Sequence, residues 1–305
     1  KGKKVLILGT GGASKTAHAL AEFMGAESVD YVSRSGKGGS ITYEQAAQEH
    51  SDAQIIINAT PAGMFPKVGG RPMDISSFPK LEGVLDAIYN PLRTNLILDA
   101  QERGIPAEGG LYMLSAQAVY ASAVFRSIEL DESLIKRAFD SVKSAKQNIV
   151  LVGMPSSGKT TVGRILAEKC GKELADTDEY IVKKIGMSIS DFFAKFGEPE
   201  FRRIEKETIA ELAETGGKVI ATGGGAVLDP ENVRALKQNG TIVFLDRAPE
   251  NLIATDDRPL ASHRSALEKL YAERYDIYTA AAELRIDANT TPEAEADAIL
   301  KELGE

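Results

Sequence analysis

Residues 149–160 read Ile-Val-Leu-Val-Gly-Met-Pro-Ser-Ser-Gly-Lys-Thr. An apolar run leads into the pattern G-x-x-x-x-G-K-[ST], and a helical pattern follows from Lys159. This strand–loop–helix context favours a phosphate-binding loop over a chance glycine-rich turn. Backbone N–H groups of such a loop cradle phosphate oxygens, the lysine reaches the β- and γ-phosphates, and the Thr160 hydroxyl coordinates Mg²⁺. The residues predicted to bind the nucleotide are Gly153, Ser156, Ser157, Gly158, Lys159, Thr160 and Thr161.

The composition around this loop is that of a globular protein of two domains. The chain has 305 residues, of which 43% are apolar and 26% charged, and domains commonly contain about 100–200 residues. The formal charge of −8 argues against a nucleic-acid partner, which would need a basic face. One cysteine, Cys170, excludes an intramolecular disulfide framework and a four-cysteine metal site.

The sequence contains no targeting or membrane signal. No apolar run approaches the roughly 18 residues of a membrane span. The start, Lys-Gly-Lys-Lys-Val, lacks the apolar core and cleavage site of a signal peptide. We therefore expect a cytoplasmic enzyme without a membrane partner. Because the first residue is Lys1 rather than methionine, we also expect the chain to be a piece of a longer one.

Strand and helix patterns alternate twice along the chain, which predicts two α/β domains with parallel sheets in three layers. We expect a first domain at 1–126, a closing helix or linker at 127–146 and a second domain at 147–305. The predicted strands are Val5–Leu8, Ser28–Val32, Gln54–Asn58, Val84–Ala87, Ile149–Val152, Val219–Thr222, Thr241–Leu245 and Leu284–Asp287. The predicted helices of the first domain and linker are Thr16–Met24, Thr94–Arg103, Ala116–Arg126 and Asp131–Ala145.

An Asp-Thr-Asp triplet, Asp176 to Asp178, stands where the second strand of a phosphate-loop domain ends. Two carboxylates two residues apart lie on the same side of an extended chain. One can support Mg²⁺ while the other faces an acceptor hydroxyl. The same pattern before a helix is also typical of N-capping, and the spacing alone leaves both interpretations open.

Further along, arginines and glycines suggest a binding pocket. Arg202 and Glu205 are three residues apart on one helix face, which suits either a clamp for a small carboxylate or a surface ion pair. Three glycines, Gly223 to Gly225, follow a buried strand and allow a ligand to approach the backbone. Arg258 follows a polar stretch suited to a lid, from which it can stabilise a transferring phosphate.

Together these motifs resemble shikimate kinase in order and spacing over residues 147–305. They are the phosphate loop, Asp-Thr-Asp, Gly-Glu-Pro-Glu-Phe-Arg-Arg-Ile-Glu, Gly-Gly-Gly and Arg-Pro-Leu. The resemblance implies a nucleoside-monophosphate-kinase-like fold and transfer of the ATP γ-phosphate to the 3-hydroxyl of shikimate.

Site roles follow from the resemblance residue by residue. It implies that Asp178 binds the acceptor hydroxyls and accepts the proton, and that Asp176 supports Mg²⁺ through water. Arg202 and Arg274 would clamp the shikimate carboxylate. The pocket would be lined by Gly223, Gly224 and Gly225, and Arg258 would be the lid arginine beside the catalytic Lys159. Many relatives carry a second lid arginine that stacks on adenine, but residues 251–257 contain none.

The first half contains a dinucleotide-binding signature. Gly9-Thr-Gly-Gly-Ala-Ser follows a strand and opens a helix, close to G-x-G-x-x-[GA]. The second strand ends at Ser33-Arg34, and an arginine at that place accommodates a 2′-phosphate, which favours NADP over NAD. A solvated arginine beside a plain strand–helix turn would give the same pattern.

Four stretches resemble the nucleotide-binding half of shikimate dehydrogenase over residues 1–126. They are Gly9–Ser14, Asn58–Met64, Asp86–Leu92 and Gly109–Gln117. The resemblance implies a Rossmann-like domain that binds NADP(H) at Gly9, Gly11, Gly12, Ala13, Ser33 and Arg34. Asn58, Thr60 and Met113 would line the nicotinamide, and Gln117 would reach shikimate.

That family keeps its catalytic Lys and Asp in a preceding substrate domain. Lys80 and Asp86 do not fall at matching positions, so we expect this chain to bind NADP(H) without turning over 3-dehydroshikimate. The two families catalyse successive steps of aromatic amino-acid biosynthesis, which supports a fused enzyme acting on the small molecules shikimate and ATP. The alternatives are a phosphate-loop kinase for another metabolite, such as gluconate or a nucleoside monophosphate, and a non-catalytic nucleotide sensor.

Overall fold

The computed structural model describes residues 1–252 and 264–304. The chain divides into two compact units, Lys1–Lys143 and Ser144–Glu305. Each contains one five-stranded sheet whose strand pairs are all parallel. The predicted fold class is confirmed. No helix within residues 1–252 and 264–304 is both long and apolar enough to cross a membrane.

The first unit contains strands β1 to β5 in the spatial order β2-β1-β3-β4-β5. Its strands are β1 Lys4–Leu8, β2 Ser28–Val32, β3 Ile55–Asn58, β4 Gly83–Asp86 and β5 Ala107–Glu108. Its helices are α1 Gly12–Phe23, α2 Tyr43–Glu49, α3 Asn95–Glu102, α4 Leu111–Arg126 and α5 Ser133–Lys146. In the register of the sheet, Leu8 lies beside both Val32 and Asn58, and Asn58 lies beside Asp86. The loops that follow these strands therefore meet at one edge of the sheet.

The second unit repeats the architecture with strand order β10-β9-β6-β8-β7. Its strands are β6 Asn148–Val152, β7 Glu173–Asp176, β8 Lys218–Ala221, β9 Gly240–Asp246 and β10 Leu284–Asp287. Its helices are α6 Lys159–Cys170, α7 Thr177–Ile185, α8 Ile189–Ala213, α9 Pro230–Asn239, α10 Arg264–Ala281 and α11 Pro292–Leu303. Strand β6 lies at the centre, paired with β8 and β9.

Alternating side chains of the central strands pack into two cores, one on each face of each sheet. In β6, Val150 and Val152 belong to one core, whereas Ile149 and Leu151 belong to the other. In β1, Leu6 and Leu8 lie in one core, and Val5 and Ile7 lie in the second. Because successive residues of a strand face opposite sides, near-continuous apolar runs indicate a sheet covered on both faces. This is the predicted three-layer arrangement.

Two predicted helix starts are wrong by about one turn. Helix α1 begins at Gly12 rather than Thr16, and α4 begins at Leu111 rather than Ala116. Both begin directly after a glycine, Gly11 and Gly110, with no side-chain cap. The buried residues Ser14 and Leu111 show that both first turns already pack on the rest of the unit.

Candidate active site

The phosphate loop bridges the end of β6 and the start of α6. Gly153 has φ +148° and Gly158 has φ +95°, values that favour glycine. A Cβ on Gly153 would lie 2.7 Å from the carbonyl oxygen of Leu245, so a larger residue would push the loop off β9. Lys159 is buried, and its Nζ donates to the carbonyls of Gly153 at 2.9 Å and Met154 at 2.7 Å.

Asp176 carries out two functions at the end of β7. Its Oδ1 accepts from the backbone N–H of Asp178 at 3.0 Å and caps α7. Its Oδ2 accepts from Thr160 Oγ1 at 2.7 Å. The capping interpretation is therefore correct, and the second oxygen still faces the phosphate loop.

The pairing of a hydroxyl and a carboxylate fits the edge of a Mg²⁺ shell, because Mg²⁺ is commonly held by one or two such oxygens together with water and phosphate. Within residues 1–252 and 264–304, no group of three or more His, Cys, Asp or Glu side chains could hold a metal alone. Thr160 would supply one ligand, and Asp176 would support the ion through water.

A cavity of about 600 Å³ opens beside Asp178. Its polar lining comes from the end of β7, from α8 and α10, and from the loop after β8. It is lined by Pro155, Thr160, Asp176, Asp178, Phe193, Arg202, Glu205, Gly223, Gly224, Gly225 and Arg274, among others. A second cavity, of about 360 Å³, is lined by the phosphate loop, Asp176, Asp178, Thr222, Gly224 and Arg247. The two share Thr160, Asp176, Asp178 and Gly224, so the phosphate loop and the larger cavity meet at Asp178.

Arg202 is held towards the larger cavity by two carboxylates. Its Nη1 donates to Glu205 Oε2 at 2.7 Å, and its Nη2 donates to Glu198 Oε1 at 2.9 Å. The local cause is a break in α8 at Gly197, which has φ +80° and ψ 171°. Pro199 follows two residues later, where a new first helical turn tolerates its missing N–H. The restarted helix places Arg202 and Glu205 on the cavity side.

Arg274 and Tyr278 close the opposite wall. Arg274 Nη1 donates to the Gly224 carbonyl at 3.1 Å, and the Tyr278 hydroxyl donates to the same oxygen. Both side chains are buried. Helix α10 therefore fixes the triple-glycine loop through one carbonyl while it presents a guanidinium to the cavity.

The triple-glycine loop after β8 is in close contact with Asp178 and Arg202. A Cβ on Gly223 would lie 2.9 Å from Asp178 Oδ1, and one on Gly225 would lie 2.3 Å from Arg202 Nη1. These approaches explain why three glycines follow β8. The loop brings its backbone against both the carboxylate and the guanidinium.

Burial and ion pairing together set the electrostatics of the cavity. It raises the pKa of Glu205, against the opposing charge of Arg202. Burial lowers the pKa of Arg202, but Glu205 and Glu198 outweigh it and the net pKa is raised. Burial also raises the pKa of Tyr278 to about 12. Arg202 therefore remains a cation and Tyr278 a neutral donor at neutral pH.

Of the predicted residues of the second unit, the two cavities bring together Ser156, Gly158, Lys159, Thr160, Thr161, Asp176, Asp178, Arg202, Arg274 and the three glycines. Gly153 and Ser157 belong to the same loop but are buried and line neither of these two cavities. The predicted lid residue Arg258 lies outside the described residues. Tyr278, Pro155, Phe193 and Arg247 were not predicted to belong to the site. Pro155 is a variable position of the phosphate-loop motif and the other three lie outside the motifs quoted above, so only the folded arrangement identifies them.

In the first unit, the loop between β1 and α1, which contains Gly9 and Gly11, lies at the carboxyl edge of the sheet. Gly9 has φ +104°, and a Cβ there would lie 3.1 Å from the carbonyl oxygen of Ala59. A Cβ on Gly11 or Gly12 would meet nothing within 4 Å, which leaves the backbone at the helix start open to a ligand. Arg34 is exposed beyond β2. Ser33 Oγ shapes the turn that presents it by accepting from the Gly36 N–H at 3.1 Å.

The prediction that Asn58 lines the nicotinamide is corrected by its burial. Asn58 is 0% exposed; its Nδ2 donates to Asp86 Oδ1 at 3.0 Å, and its Oδ1 accepts from Thr60 Oγ1 at 2.7 Å. It positions Thr60, which lines a cavity of about 480 Å³ with Ala59, Pro61, Met64, Phe65 and Ala87 to Asn90. Met113 and Gln117 lie exposed on α4.

Comparison with known proteins identifies the second unit. A profile of the family "Shikimate kinase" matches residues 155–304. A shikimate kinase from Thermodesulfovibrio yellowstonii is 42% identical over 165 residues, covering 51% of this chain and 94% of the relative. One from Enterococcus faecalis is 39% identical and is covered over 99% of its length.

Solved structures are also similar to parts of this chain. A shikimate kinase from Acinetobacter baumannii in complex with shikimate is 35% identical, with a TM-score of 0.51, and covers 54% of this chain and 96% of its own. A shikimate dehydrogenase from Peptoclostridium difficile is 34% identical with a TM-score of 0.43, over 47% of this chain. This chain spans about half of that dehydrogenase, 54% of its length. On the sequence and cavity of its second unit, the chain belongs to the shikimate kinase family.

Proposed function

We propose that the second unit transfers the γ-phosphoryl group of ATP to the 3-hydroxyl of shikimate. One observation carries the proposal. The cavity at the phosphate loop and the cavity walled by Arg202 and Arg274 share Asp178. A nucleotide and a small carboxylate substrate bound in them would have their reacting ends at the same carboxylate.

Asp178 is the proposed acceptor-side residue. Its carboxylate would accept a hydrogen bond from the 3-hydroxyl and take its proton as the oxygen attacks the γ-phosphorus, while the bond to the departing ADP oxygen breaks. Lys159 would offset negative charge on the β- and γ-phosphates. The backbone of Gly223 limits where the acceptor can sit, since it lies directly against Asp178. Arg258 is proposed as the lid arginine.

Substrate selection is assigned to two guanidiniums on different helices. Arg202 on α8 and Arg274 on α10 both line the larger cavity, and paired guanidiniums suit a small carboxylate through charge-assisted hydrogen bonds. Gluconate also has a carboxylate but no ring to pack against Phe193 and Pro155. A nucleoside monophosphate would place a dianionic phosphate at this site instead of a carboxylate with a single negative charge.

Mg²⁺ is the proposed metal, with Thr160 Oγ1 as a ligand and Asp176 supporting it through water. When bound, it would neutralise charge on the phosphate oxygens. The distance of 2.7 Å between Thr160 Oγ1 and Asp176 Oδ2 supports this pairing. Removal of the metal with a chelator should abolish turnover.

The test is ADP release measured with ATP and Mg²⁺ in the presence of shikimate, gluconate or a nucleoside monophosphate. We expect release that depends on shikimate and is lost in Asp178→Ala, with ADP affinity retained. Nucleotide binding without turnover on any acceptor would indicate the sensor alternative. Turnover on gluconate or a nucleoside monophosphate alone would contradict the assignment of shikimate.

We also propose that the first unit binds NADP(H), on the evidence of the open backbone at Gly11 and Gly12 and the exposed Arg34. A helix start with free N–H groups binds the diphosphate, and Arg34 would bind the 2′-phosphate. A titration with NADPH, followed by fluorescence, should show weaker binding to Arg34→Ala than to the wild type. The affinity for NADH should be the same in both proteins. Equal wild-type affinity for both cofactors would contradict the 2′-phosphate assignment.

A further inference from the structure

Arg247 lies on the cavity of the phosphate loop, although no motif includes it. It follows directly after β9, and β9 is the neighbour of β6 in the sheet, with Phe244 paired to Val152. The residues beyond these two strand ends therefore meet. Arg247 lines the cavity of about 360 Å³ together with Ser156, Gly158, Lys159, Thr160 and Thr161.

The Arg247 side chain is held in place by two contacts from the end of β10 and from α11. Its Nε donates to the carbonyl of Ala288 at 2.6 Å. Its Nη2 lies 3.5 Å from Glu295 Oε1. The Arg247 side chain is 22% exposed, whereas that of Glu295 is 0% exposed. A long surface arginine normally samples many rotamers, and these contacts restrict it to the side of the cavity.

Glu295 is a buried carboxylate in the first turn of α11, and Arg247 is the cation that faces it. A carboxylate with no exposed surface is costly unless a charge or hydrogen bonds compensate it. Burial raises the pKa of Glu295, and the charge of Arg247 is the largest effect that opposes this rise. A carboxylate in the first turn of a helix also interacts favourably with the N–H groups of that turn, so the effect of Glu295 on Arg247 is tested separately from its effect on α11.

The chemistry of the cavity indicates what Arg247 meets. The other cavity residues named above offer backbone N–H groups, hydroxyls and an ammonium group, all suited to phosphate oxygens. A guanidinium has five N–H donors, and the contacts to Ala288 and Glu295 use only part of them. The remaining donors suit the same phosphate oxygens from the side of β9.

We propose that Arg247 is a nucleotide-binding residue that donates to phosphate oxygens of the bound nucleotide, and that Glu295 is the residue that positions it. This inference rests on the proposed use of ATP, but it concerns nucleotide binding and not the identity of the acceptor. Direct binding of ADP tests it even if shikimate is not the acceptor.

The experiment is calorimetric titration of ADP and of GDP into the full chain with Mg²⁺. Arg247→Ala should weaken ADP binding by about tenfold to a hundredfold, as expected for charge-assisted hydrogen bonds to phosphate. Arg247→Lys should recover part of the loss. The loss should be the same factor for ADP and GDP, because phosphate contacts do not distinguish bases. Arg264→Ala, on the exposed part of α10, should leave the affinity unchanged.

Glu295 is tested by a double-mutant cycle. Glu295→Gln alone should weaken ADP binding several-fold, whereas adding it to Arg247→Ala should cause no further loss. The double variant also removes the buried charge that Arg247→Ala leaves unpaired, so it guards against misfolding. Thermal unfolding confirms that each variant is folded. A merely structural role of Glu295 would lower the affinity equally in both backgrounds.

Three results would overturn the proposal. They are unchanged ADP affinity in folded Arg247→Ala, a loss for ADP much larger than for GDP, and additive effects of the two substitutions. Failure of the proposed function has a different signature. In that case wild-type ADP binding and its dependence on Arg247 persist, but shikimate does not accept phosphate.

Discussion

The neighbours of Arg202 hold its side chain in one position on the cavity wall. Glu205 and Glu198 hold its guanidinium, and Gly225 leaves the space in which it lies. Arg203 is the next residue but is exposed and pairs with Glu200 and Glu207 instead. Two adjacent arginines therefore have different environments, which makes them a matched pair for mutation.

Arg202→Lys should raise the KM for shikimate by about tenfold, because a lysine keeps the charge but loses the planar fork that binds a carboxylate. The KM for ATP should change little. Steady-state kinetics with each substrate varied in turn measure both, and Arg203→Lys is the control with no expected change. A comparable rise in Arg203→Lys, or an unchanged KM for shikimate in Arg202→Lys, would contradict the assignment.

Asp86 is a buried carboxylate whose titration should affect stability. Burial raises its pKa above the ordinary value of 3.8, against hydrogen bonds from Thr94, Ile88 and Asn58. Between 3.8 and the raised value, the folded state holds a proton that the unfolded chain has lost, so the free energy of unfolding falls as pH rises through this range.

An asparagine at position 86 does not titrate, so Asp86→Asn removes the difference in proton binding between the folded and unfolded states. The stability of the wild type relative to Asp86→Asn should therefore fall as pH rises from about 3.8 and become constant above the raised pKa. Urea unfolding of both proteins over a series of pH values measures the difference. A difference that is flat or rises with pH would show that the Asp86 pKa is not raised.

At this scale the sequence predicted residue types better than residue roles. Asp176 and Asp178 lie at the end of β7 and the start of α7 as predicted, but the capping role of Asp176 needed the hydrogen bond from the Asp178 N–H. Asn58 was assigned to the ligand, whereas the fold buries it beneath Thr60. Burial depends on the register of β3 with β4, which pairs Asn58 with Asp86, and no local pattern reports that register.

The loop Gly223 to Gly225 is the element through which the sheet shapes the pocket. Gly225→Ala would place a methyl group 2.3 Å from Arg202 Nη1, so the guanidinium must move. We expect a rise of about tenfold or more in the KM for shikimate, comparable to losing one charge-assisted contact, with ADP affinity unchanged.

Gly69→Ala is a suitable control, since a Cβ there would meet nothing within 4 Å. Kinetics and ADP titration of both variants distinguish a local effect from general destabilisation. Unchanged kinetics in Gly225→Ala would mean that Arg202 does not need its present position.

Elements with strong local signals were predicted well. Strands β2 and β10 have the predicted bounds. Helix α8 shows the limit, since Gly197 and Pro199 indicate a break but not its direction. The direction in which the helix restarts places Arg202 on the cavity side, and the restarted helix lies against its neighbours α7 and α9.

At the scale of the whole molecule, each unit has its own buried cores. Leu96 on α3 is 0% exposed and belongs to a core formed within the first unit. Leu96→Ala should destabilise that unit by about 2–5 kcal/mol, while kcat of the kinase reaction stays unchanged at low denaturant. Leu20→Ala, at a side chain that is 51% exposed, is the control with a much smaller expected effect.

Urea unfolding followed alongside kinase activity measures both effects of Leu96→Ala. Loss of kinase activity in step with unfolding of the first unit would contradict independent cores. Alternation of strands and helices was enough to predict two parallel-sheet units. The order of strands within each sheet, and hence the meeting of the two cavities at Asp178, depends on long-range pairing that a single sequence does not report.

The most direct test of the central claim is the identity of the phosphorylated product. The chain is incubated with ATP, Mg²⁺ and shikimate, and the product is examined by phosphorus and proton magnetic resonance. We predict shikimate carrying one phosphate on its 3-hydroxyl, and none from Asp178→Ala under the same conditions. ADP formed without phosphorylated shikimate, or phosphate on another hydroxyl, would contradict the account.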